Sequence, residues 1–207
     1  SRRQGFIRGR RFVHPVMGFE FTVPADYRLT NLPDRVVAAR RDGPTVIFDR
    51  ARRDGLDLMG YVARRWAPRL KPLQAERLTI NGLPAVTATG RALVEGQARD
   101  LRLVAIRDGG AGVFRFAMIA APTGAARWDR DMRNLVRSFR RLSASEAKSV
   151  KARRLKIVPV GYRDTVGGLA ARMVVDDHKK GWFEVLNGLT LPGAEAPKAG
   201  DLVKLVR

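Results

Sequence analysis

The sequence predicts an α+β fold in two parts: an antiparallel sheet with packed helices over residues 1–142, followed by a small strand–helix–helix–strand (βααβ) unit over residues 155–207. Short runs of alternating apolar and polar residues fill the first part, and two of them are joined by Asn81-Gly82, a strong signal for a β-hairpin. Residues 1–142 contain 27 Arg and 1 Lys, whereas the rest of the chain contains 5 Arg and 7 Lys. This change of composition predicts a domain boundary near residue 143.

The first part opens with Ser1–Arg11, a basic segment that shows no periodicity. Apolar and polar residues then alternate in several segments, each of which we expect to form a strand. These are Phe19–Val23, Tyr27–Asn31, Arg35–Ala39, Thr45–Asp49, Leu78–Ile80, Leu83–Val86, Arg99–Arg107 and Val113–Ile119. Turns are expected at Asp42-Gly43-Pro44 and at Asp108-Gly109-Gly110.

Two helices are predicted in the first part, because apolar residues recur there at every third or fourth position. The first runs from Leu58 to Leu70 and ends before Pro72, and the second runs from Trp128 to Leu142. Residues 143–154 contain no large apolar residue apart from Val150, so we expect a linker there.

The last part has the order strand, helix, helix, strand. A strand is predicted over Leu155–Val160, and Asp164-Thr165 is typical of a helix start. A polar segment that includes Asp176, Asp177 and His178 separates the two helices, and Asn187-Gly188 is typical of a helix end. The first helix has its apolar side formed by Val166, Leu169, Ala170 and Met173, and the closing strand is Leu202–Val206.

Composition narrows the function classes. Forty Lys and Arg against twenty Asp and Glu give a formal charge of +20, which would strengthen binding to nucleic acid. However, the arginines are scattered over every element and the aromatic residues, 7% of the chain, mostly have core spacing. Nucleic acid is therefore the least favoured partner. No apolar run reaches the ~18 residues of a membrane-spanning helix, and we expect neither such a helix nor a signal peptide.

Catalytic chemistry is not predicted for these residues. A zinc peptidase helix needs two histidines four residues apart, with a third ligand and a glutamate base. The two histidines here, His14 and His178, lie in different parts of the chain, and Asp176-Asp177-His178 supplies too few ligands. Cysteine is absent and no Gly-x-Ser-x-Gly motif occurs. We therefore expect no catalytic residue, no metal ligand and no cofactor in this chain.

The βααβ part resembles the LysM cell-wall-binding module. The resemblance rests on Asp164-Thr165-Val166, Leu169-Ala170, Leu186-Asn187-Gly188 and Gly200-x-x-Val203, with Arg163 where the family usually has glycine. It implies a peptidoglycan groove between residues 161–165 and 187–190. The candidate glycan-binding residues are Gly161, Arg163, Asp164, Thr165, Asn187, Gly188 and Leu189. The same residues also suit structural roles, since Asp164-Thr165 would cap one helix and Asn187-Gly188 would end the other.

The first part resembles PsbP-like domains in the segment Gly18–Tyr27, where a strand runs into a proline and then an aromatic residue. His14–Pro24, Ile80–Leu83 and Ser138–Ser143, together with the LysM-like end, are similar to the non-catalytic region of bacterial envelope zinc metalloproteases of the CAAX prenyl endopeptidase family. That resemblance implies an accessory role in the periplasm or cell envelope, beside an upstream peptidase domain that would carry the zinc. It also implies that the basic surface lies next to anionic envelope polymers or lipid headgroups. The alternative is a free-standing envelope-binding module.

Overall fold

The computed structural model describes residues 4–122, 125–150, 153–175 and 178–207. The chain divides into two compact units, Ser1–Val150 and Lys151–Arg207, which we call unit 1 and unit 2. The described part of the chain contains no helix that is both long enough and apolar enough to cross a bilayer.

Unit 1 is built on antiparallel strands, as the sequence predicts. In its described residues the strands are β1 Phe6–Arg8, β2 Arg11–His14, β3 Phe19–Thr22, β4 Tyr27–Asn31, β5 Val36–Arg40, β6 Thr45–Arg52, β7 Lys71–Ile80, β8 Leu83–Val94, β9 Gln97–Asp108, β10 Gly112–Ala120 and β11 Arg140–Arg141. Seven strands form the large sheet in the order β4-β5-β6-β10-β9-β8-β7, and β1-β2-β3-β11 form a small sheet. Asn81 and Gly82 join β7 to β8 with φ of 46° and 80°, so the predicted hairpin is confirmed.

Both predicted helices of unit 1 end earlier than the sequence predicts. Helix α1 spans Leu58–Tyr61 and continues as a π-helical turn over Val62–Trp66, so the helix predicted to reach Leu70 is too long. The cause is Pro68, whose ring disfavours the helical conformation of the residue before it; Ala67 has φ −132° and ψ 54°.

Helix α2 spans Ala125–Ser138, so it begins three residues before the predicted start at Trp128 and ends four residues before the predicted end at Leu142. The Ser138 hydroxyl accepts a hydrogen bond from the Thr22 amide at 2.8 Å and donates one to the Thr22 carbonyl at 3.0 Å. The chain then turns into β11, where Arg140 pairs with Glu20 of β3. Pairing with the small sheet therefore replaces the last predicted turn of helix.

Secondary structure is present in two segments for which the sequence predicts no strand or helix. Within the described part of the basic start of the chain, β1 and β2 pair as a hairpin, and Phe12 is buried; residues 1–3 lie outside the described part. The predicted linker contains helix α3, Ala144–Ser149. Ser143 caps this helix while the Glu146 carboxylate accepts from the Ser143 amide, a capping box. Residues 151–152 of that linker lie outside the described part.

The core of unit 1 lies on both faces of the large sheet. On one face, phenylalanine rings of the small sheet pack against those of the large sheet, for example Phe19 against Phe114 at 4.9 Å and Phe21 against Phe48 at 4.9 Å between ring centroids. Helix α2 packs on the same face. The other face is covered by α1 and the π-helical turn. Unit 1 is therefore three layers deep, with the large sheet in the middle.

Unit 2 has the predicted order of elements: β12 Leu155–Pro159, α4 Val166–Ala171, α5 Lys179–Leu186 and β13 Leu202–Val206. The two strands pair antiparallel, and their inward side chains meet both helices around Leu169 and Phe183. The polar segment between the helices includes residues 176–177, which lie outside the described part. His178 directly precedes α5 with φ 47°.

Candidate functional site

The loop between β12 and α4 carries four of the predicted glycan-binding residues. Its polar side chains are used to hold the loop: Asp164 accepts from the Gly161 amide at 2.9 Å and from Arg172 at 3.4 Å. The Thr165 hydroxyl accepts from the Gly168 amide at 3.1 Å and thereby caps α4. Asp164 and Thr165 therefore act in the fold itself, which is the structural role that the sequence also allowed.

Asn187 at the end of α5 is a bridge between secondary-structure elements. Its amide oxygen accepts from the Lys204 backbone N–H at 2.7 Å, and its amide nitrogen donates to the Lys204 carbonyl at 3.1 Å and to the Phe183 carbonyl at 2.9 Å. The side chain thus pairs with β13 as another strand would. We call this set of bonds the Asn187 clasp. It leaves little hydrogen-bonding capacity for a ligand.

Gly188, Leu189 and Arg163, the other predicted glycan-binding residues of these two segments, differ in exposure and packing. Gly188 has φ 71°, which glycine adopts without strain, and Leu189 packs against the core of unit 2. Arg163 is exposed. Within the described residues no hydrogen bond joins 161–165 to 187–190, although both segments border the same core through Val166 and Leu189.

Tyr162 is the residue at this site that the sequence prediction omitted. Its side chain is 100% exposed, between Gly161 and Arg163. An aromatic side chain held fully in water by a loop with internal hydrogen bonds has no packing role, so it is available for contact with a partner. The sequence carried a signal for it, since Tyr162 lies outside the apolar spacing of both β12 and α4.

Neither histidine belongs to a metal-binding group in the described residues, where no three His, Asp or Glu side chains come together. His14 is buried: its Nδ1 accepts from the Met17 amide at 3.1 Å and its ring stacks on Phe19 at 5.5 Å. These contacts give His14 a role in the turn between β2 and β3.

One ion pair of unit 1 joins neighbouring strands of the large sheet to helix α1. Arg115 of β10 binds Asp49 of β6 at 2.5 Å and donates to the Tyr61 hydroxyl at 3.0 Å. Burial alone would lower the pKa of Arg115, but its hydrogen bonds to and charge attraction with Asp49, together with Tyr61, outweigh burial and raise it. This guanidinium stays charged and joins the large sheet to α1.

Comparison with known proteins gives structural similarity alone. No family model matches the chain, and no curated protein matches it. The chain is similar to a protein from Bacteroides thetaiotaomicron whose crystal structure is known. The two align over 97% of this chain and 87% of the other chain, at 11% identity and a TM-score of 0.51. It is also similar to the solution structure of PsbP (CyanoP) from the cyanobacterium Synechocystis. That alignment covers 66% of this chain and 98% of the CyanoP chain, at 15% identity and a TM-score of 0.50.

A further structure is that of LpqN, a protein involved in cell envelope biogenesis of Mycobacterium tuberculosis. The alignment covers 60% of this chain and 83% of the LpqN chain, at 16% identity and a TM-score of 0.47. At these identities the comparisons concern the fold only. The similarity to CyanoP fits the PsbP-like fold predicted for the first part of the chain.

Proposed function

We propose that this chain is a non-catalytic binding region that acts in the bacterial cell envelope, and that unit 2 binds peptidoglycan. The observation that carries the proposal is the fully exposed Tyr162 on the loop where the LysM resemblance expects the glycan. The resemblance supplies the identity of the ligand. The geometry supplies a rigid loop that presents an aromatic ring and a cation, Arg163, to solvent.

Some residues of this loop hold its backbone while others are exposed to solvent, and this arrangement supports a binding role. Asp164 and Thr165 fix the backbone through the bonds described above, so Tyr162 is presented at little further cost in conformational entropy. A phenol ring combines an apolar face with a hydrogen-bonding hydroxyl, which suits the alternating C–H and hydroxyl groups of a sugar. We therefore assign contact with glycan to Tyr162 and Arg163, and assign support of the loop to Asp164, Thr165 and Asn187.

Sedimentation with insoluble peptidoglycan tests this proposal. A chain of charge +20 adsorbs to anionic wall polymers, but that attraction is screened within ~8 Å at physiological ionic strength and within a few ångströms at ~0.5 M salt. Binding through Tyr162 should persist at high salt. Tyr162→Ala should raise the Kd of the salt-resistant binding about tenfold, the equivalent of ~1.4 kcal/mol.

A matched control is available in the same unit. Ile157 is 67% exposed on β12, so Ile157→Ala removes a similar exposed apolar group outside the loop and should bind as the unchanged protein does. Release of all protein by salt, or equal binding of Tyr162→Ala and Ile157→Ala, would refute glycan binding by this loop.

The resemblance to envelope zinc metalloproteases extends the proposal to the parent protein. In this proposal units 1 and 2 localise or orient a peptidase domain that precedes them, and that domain holds the zinc. The reading frame upstream of Ser1 tests it directly. A His-Glu-x-x-His helix there, with one zinc per full-length chain, supports the accessory role; its absence would favour the free-standing envelope-binding module.

A further inference from the structure

The sheet of unit 2 has two edges, and their backbone groups are used differently. Within the described residues this sheet consists of β12 and β13. Arg154 and Arg207 exchange two backbone hydrogen bonds, at 2.6 and 2.8 Å. In an antiparallel pair, residues bonded in this way alternate with residues whose N–H and C=O groups point away from the partner strand. Leu155, Ile157 and Pro159 of β12 therefore direct their polar backbone groups to the outside of the sheet.

The outward edge of β13 is closed by other parts of unit 2. The Asn187 clasp takes both the N–H and the C=O of Lys204, and the Val206 carbonyl accepts from the Val174 amide at 2.9 Å. These bonds also confirm that Lys204 and Val206 point away from β12. Little of β13 is therefore left to pair with a further strand.

The outward edge of β12 is open. In the part of the chain that the structure describes, the outward N–H and C=O groups of Leu155 and Ile157 make no hydrogen bond. The two residues are also 59% and 67% exposed. Pro159 has no N–H, so it adds one carbonyl and ends the edge. We call these outward groups of Leu155, Ile157 and Pro159 the β12 edge. An unpaired strand edge is a template on which another extended chain can form hydrogen bonds.

The β12 edge has a positive surrounding. Lys156 lies between the two open residues and is exposed, and residues 151–163 contain no Asp or Glu. The neighbouring strand β13 contributes Lys204 and no acidic residue; Asp201 precedes it, beyond the Pro159 end of the edge. Opposite charges on facing residues of neighbouring strands stabilise their pairing. The edge therefore favours a strand that places an acidic residue opposite Lys156.

A second copy of β12 fits this edge poorly. Antiparallel pairing that uses Leu155 and Ile157 of both copies is centred on Lys156, so the two ammonium groups lie directly opposite each other. Like charges in that position destabilise a sheet. The charges thus favour a different chain as the occupant.

We propose that the β12 edge binds an extended peptide segment of a partner protein by strand addition, and that the centre of this segment reads apolar–acidic–apolar. Side chains alternate between the two faces of a sheet. The two apolar residues therefore lie beside Leu155 and Ile157 on one face, and the acidic residue lies beside Lys156 on the other. Backbone hydrogen bonds supply the affinity and the side-chain pattern supplies the specificity. This site does not depend on glycan binding by Tyr162.

Amide hydrogen exchange of the isotope-labelled full chain, at low salt, tests the proposal with a blocked heptapeptide, Ser-Thr-Val-Glu-Val-Thr-Ser. Without peptide, the amides of Leu155 and Ile157 should exchange faster than those of Lys156 and Val158, which pair with β13. A saturating amount of peptide should slow the first two about tenfold. Protection of these amides by rising protein concentration alone would show self-pairing and overturn the proposal.

Two altered peptides separate the backbone from the side-chain contribution. N-methylation of both valines removes the donors to the carbonyls of the β12 edge and should weaken binding about tenfold. Lysine in place of glutamate should weaken binding about fivefold, because it places like charges opposite each other. Equal affinity of either altered peptide and the original would overturn strand addition with an acidic centre.

Two variants of the chain locate the site. Lys156→Glu should reverse the preference, so that the lysine peptide binds more tightly than the glutamate peptide. Its exposed position leaves the fold intact. Lys148→Glu makes the same change of charge at an exposed position of α3 in unit 1 and should keep the preference of the unchanged protein. The same preference in both variants would refute the contact with Lys156 and with it the proposal.

Discussion

The two units are stabilised by different means. Unit 1 has a cluster of buried phenylalanines between two sheets and a helix: Phe12, Phe19, Phe21, Phe48, Phe114, Phe116 and Phe139. In unit 2 the buried core contains one aromatic residue, Phe183, among aliphatic side chains. Domains this small rarely obtain more than ~3–5 kcal/mol from a hydrophobic core. Side chain–backbone bonds occur in both units, for example between Ser138 and Thr22 in unit 1, but unit 2 has the Asn187 clasp in place of the aromatic packing of unit 1.

This difference explains why motif positions are not automatically binding positions. In unit 2 the polar residues that mark the LysM resemblance are the ones that hold the loop and β13 in place. A residue with its hydrogen bonds satisfied within the fold has little to offer a ligand. Binding is then expected from a neighbour that the fold does not need, and Tyr162 is such a neighbour.

The largest expected effect is in the core of unit 1. Phe139 is fully buried and its ring lies 5.1 Å from Phe114 and 5.7 Å from Phe19. Phe139→Ala should lower the free energy of unfolding by ~3–5 kcal/mol, since it leaves a cavity that the rigid sheets cannot close. Denaturant unfolding measures this. Leu93→Ala, at an exposed position, should change it by ~0.5 kcal/mol or less, and a similar loss in both variants would contradict the packing described for the core.

A smaller effect is expected from the Asn187 clasp. Asn187→Ala removes three hydrogen bonds that each contribute ~0.5–1.5 kcal/mol, so we expect a loss of ~1.5–4.5 kcal/mol confined to unit 2. Hydrogen exchange of the Lys204 amide measures it directly, because that N–H loses its acceptor. Asn187→Asp keeps an acceptor for this amide but places a carboxylate oxygen against the Phe183 and Lys204 carbonyls, so it should protect the amide less well than asparagine does. Unchanged exchange in Asn187→Ala would show that the clasp does not stabilise β13.

The smallest effect concerns α3. The hydrogen bond from Arg140, followed by that from the Ser143 amide, lowers the pKa of Glu146 from 4.5 to about 2. Because the pKa is depressed in the folded state, the stabilisation is complete above pH 4.5 and is lost as the pH falls towards 2. Glu146→Gln should therefore be less stable than the unchanged protein at pH 6, and the difference should shrink at pH 2.5. Thermal unfolding at the two pH values checks this; a constant difference would rule out the ionised capping box as its source.

Local sequence signals predicted most of the strands and the βααβ order, because alternation and turn residues act over a few positions. The errors have identifiable causes. Helix α1 was predicted to end at Pro72, but Pro68 ends it earlier. Helix α3 was missed because its signal is a capping box, Ser143 with Glu146, and not a pattern of apolar residues. Strand β1 has only three residues, Phe6–Arg8, which is too short for an alternating pattern to show.

The candidate sites were less predictable. Asn187 was recognised as a helix end, but its bonds to Lys204 depend on two elements that meet only in the folded unit. That arrangement is not present in any short stretch of sequence.

The central claim is that the β12–α4 loop binds glycan through Tyr162 while Asn187 serves the fold. Titration of the isotope-labelled full chain with a soluble N-acetylglucosamine oligomer, followed by amide NMR at ~0.5 M salt where surface charge is screened, tests it most directly. We predict shifts at residues 161–163 and 188–190, with the Asn187 side-chain amide and the Lys204 amide unchanged. Shifts confined to unit 1, or none at all, would contradict the claim.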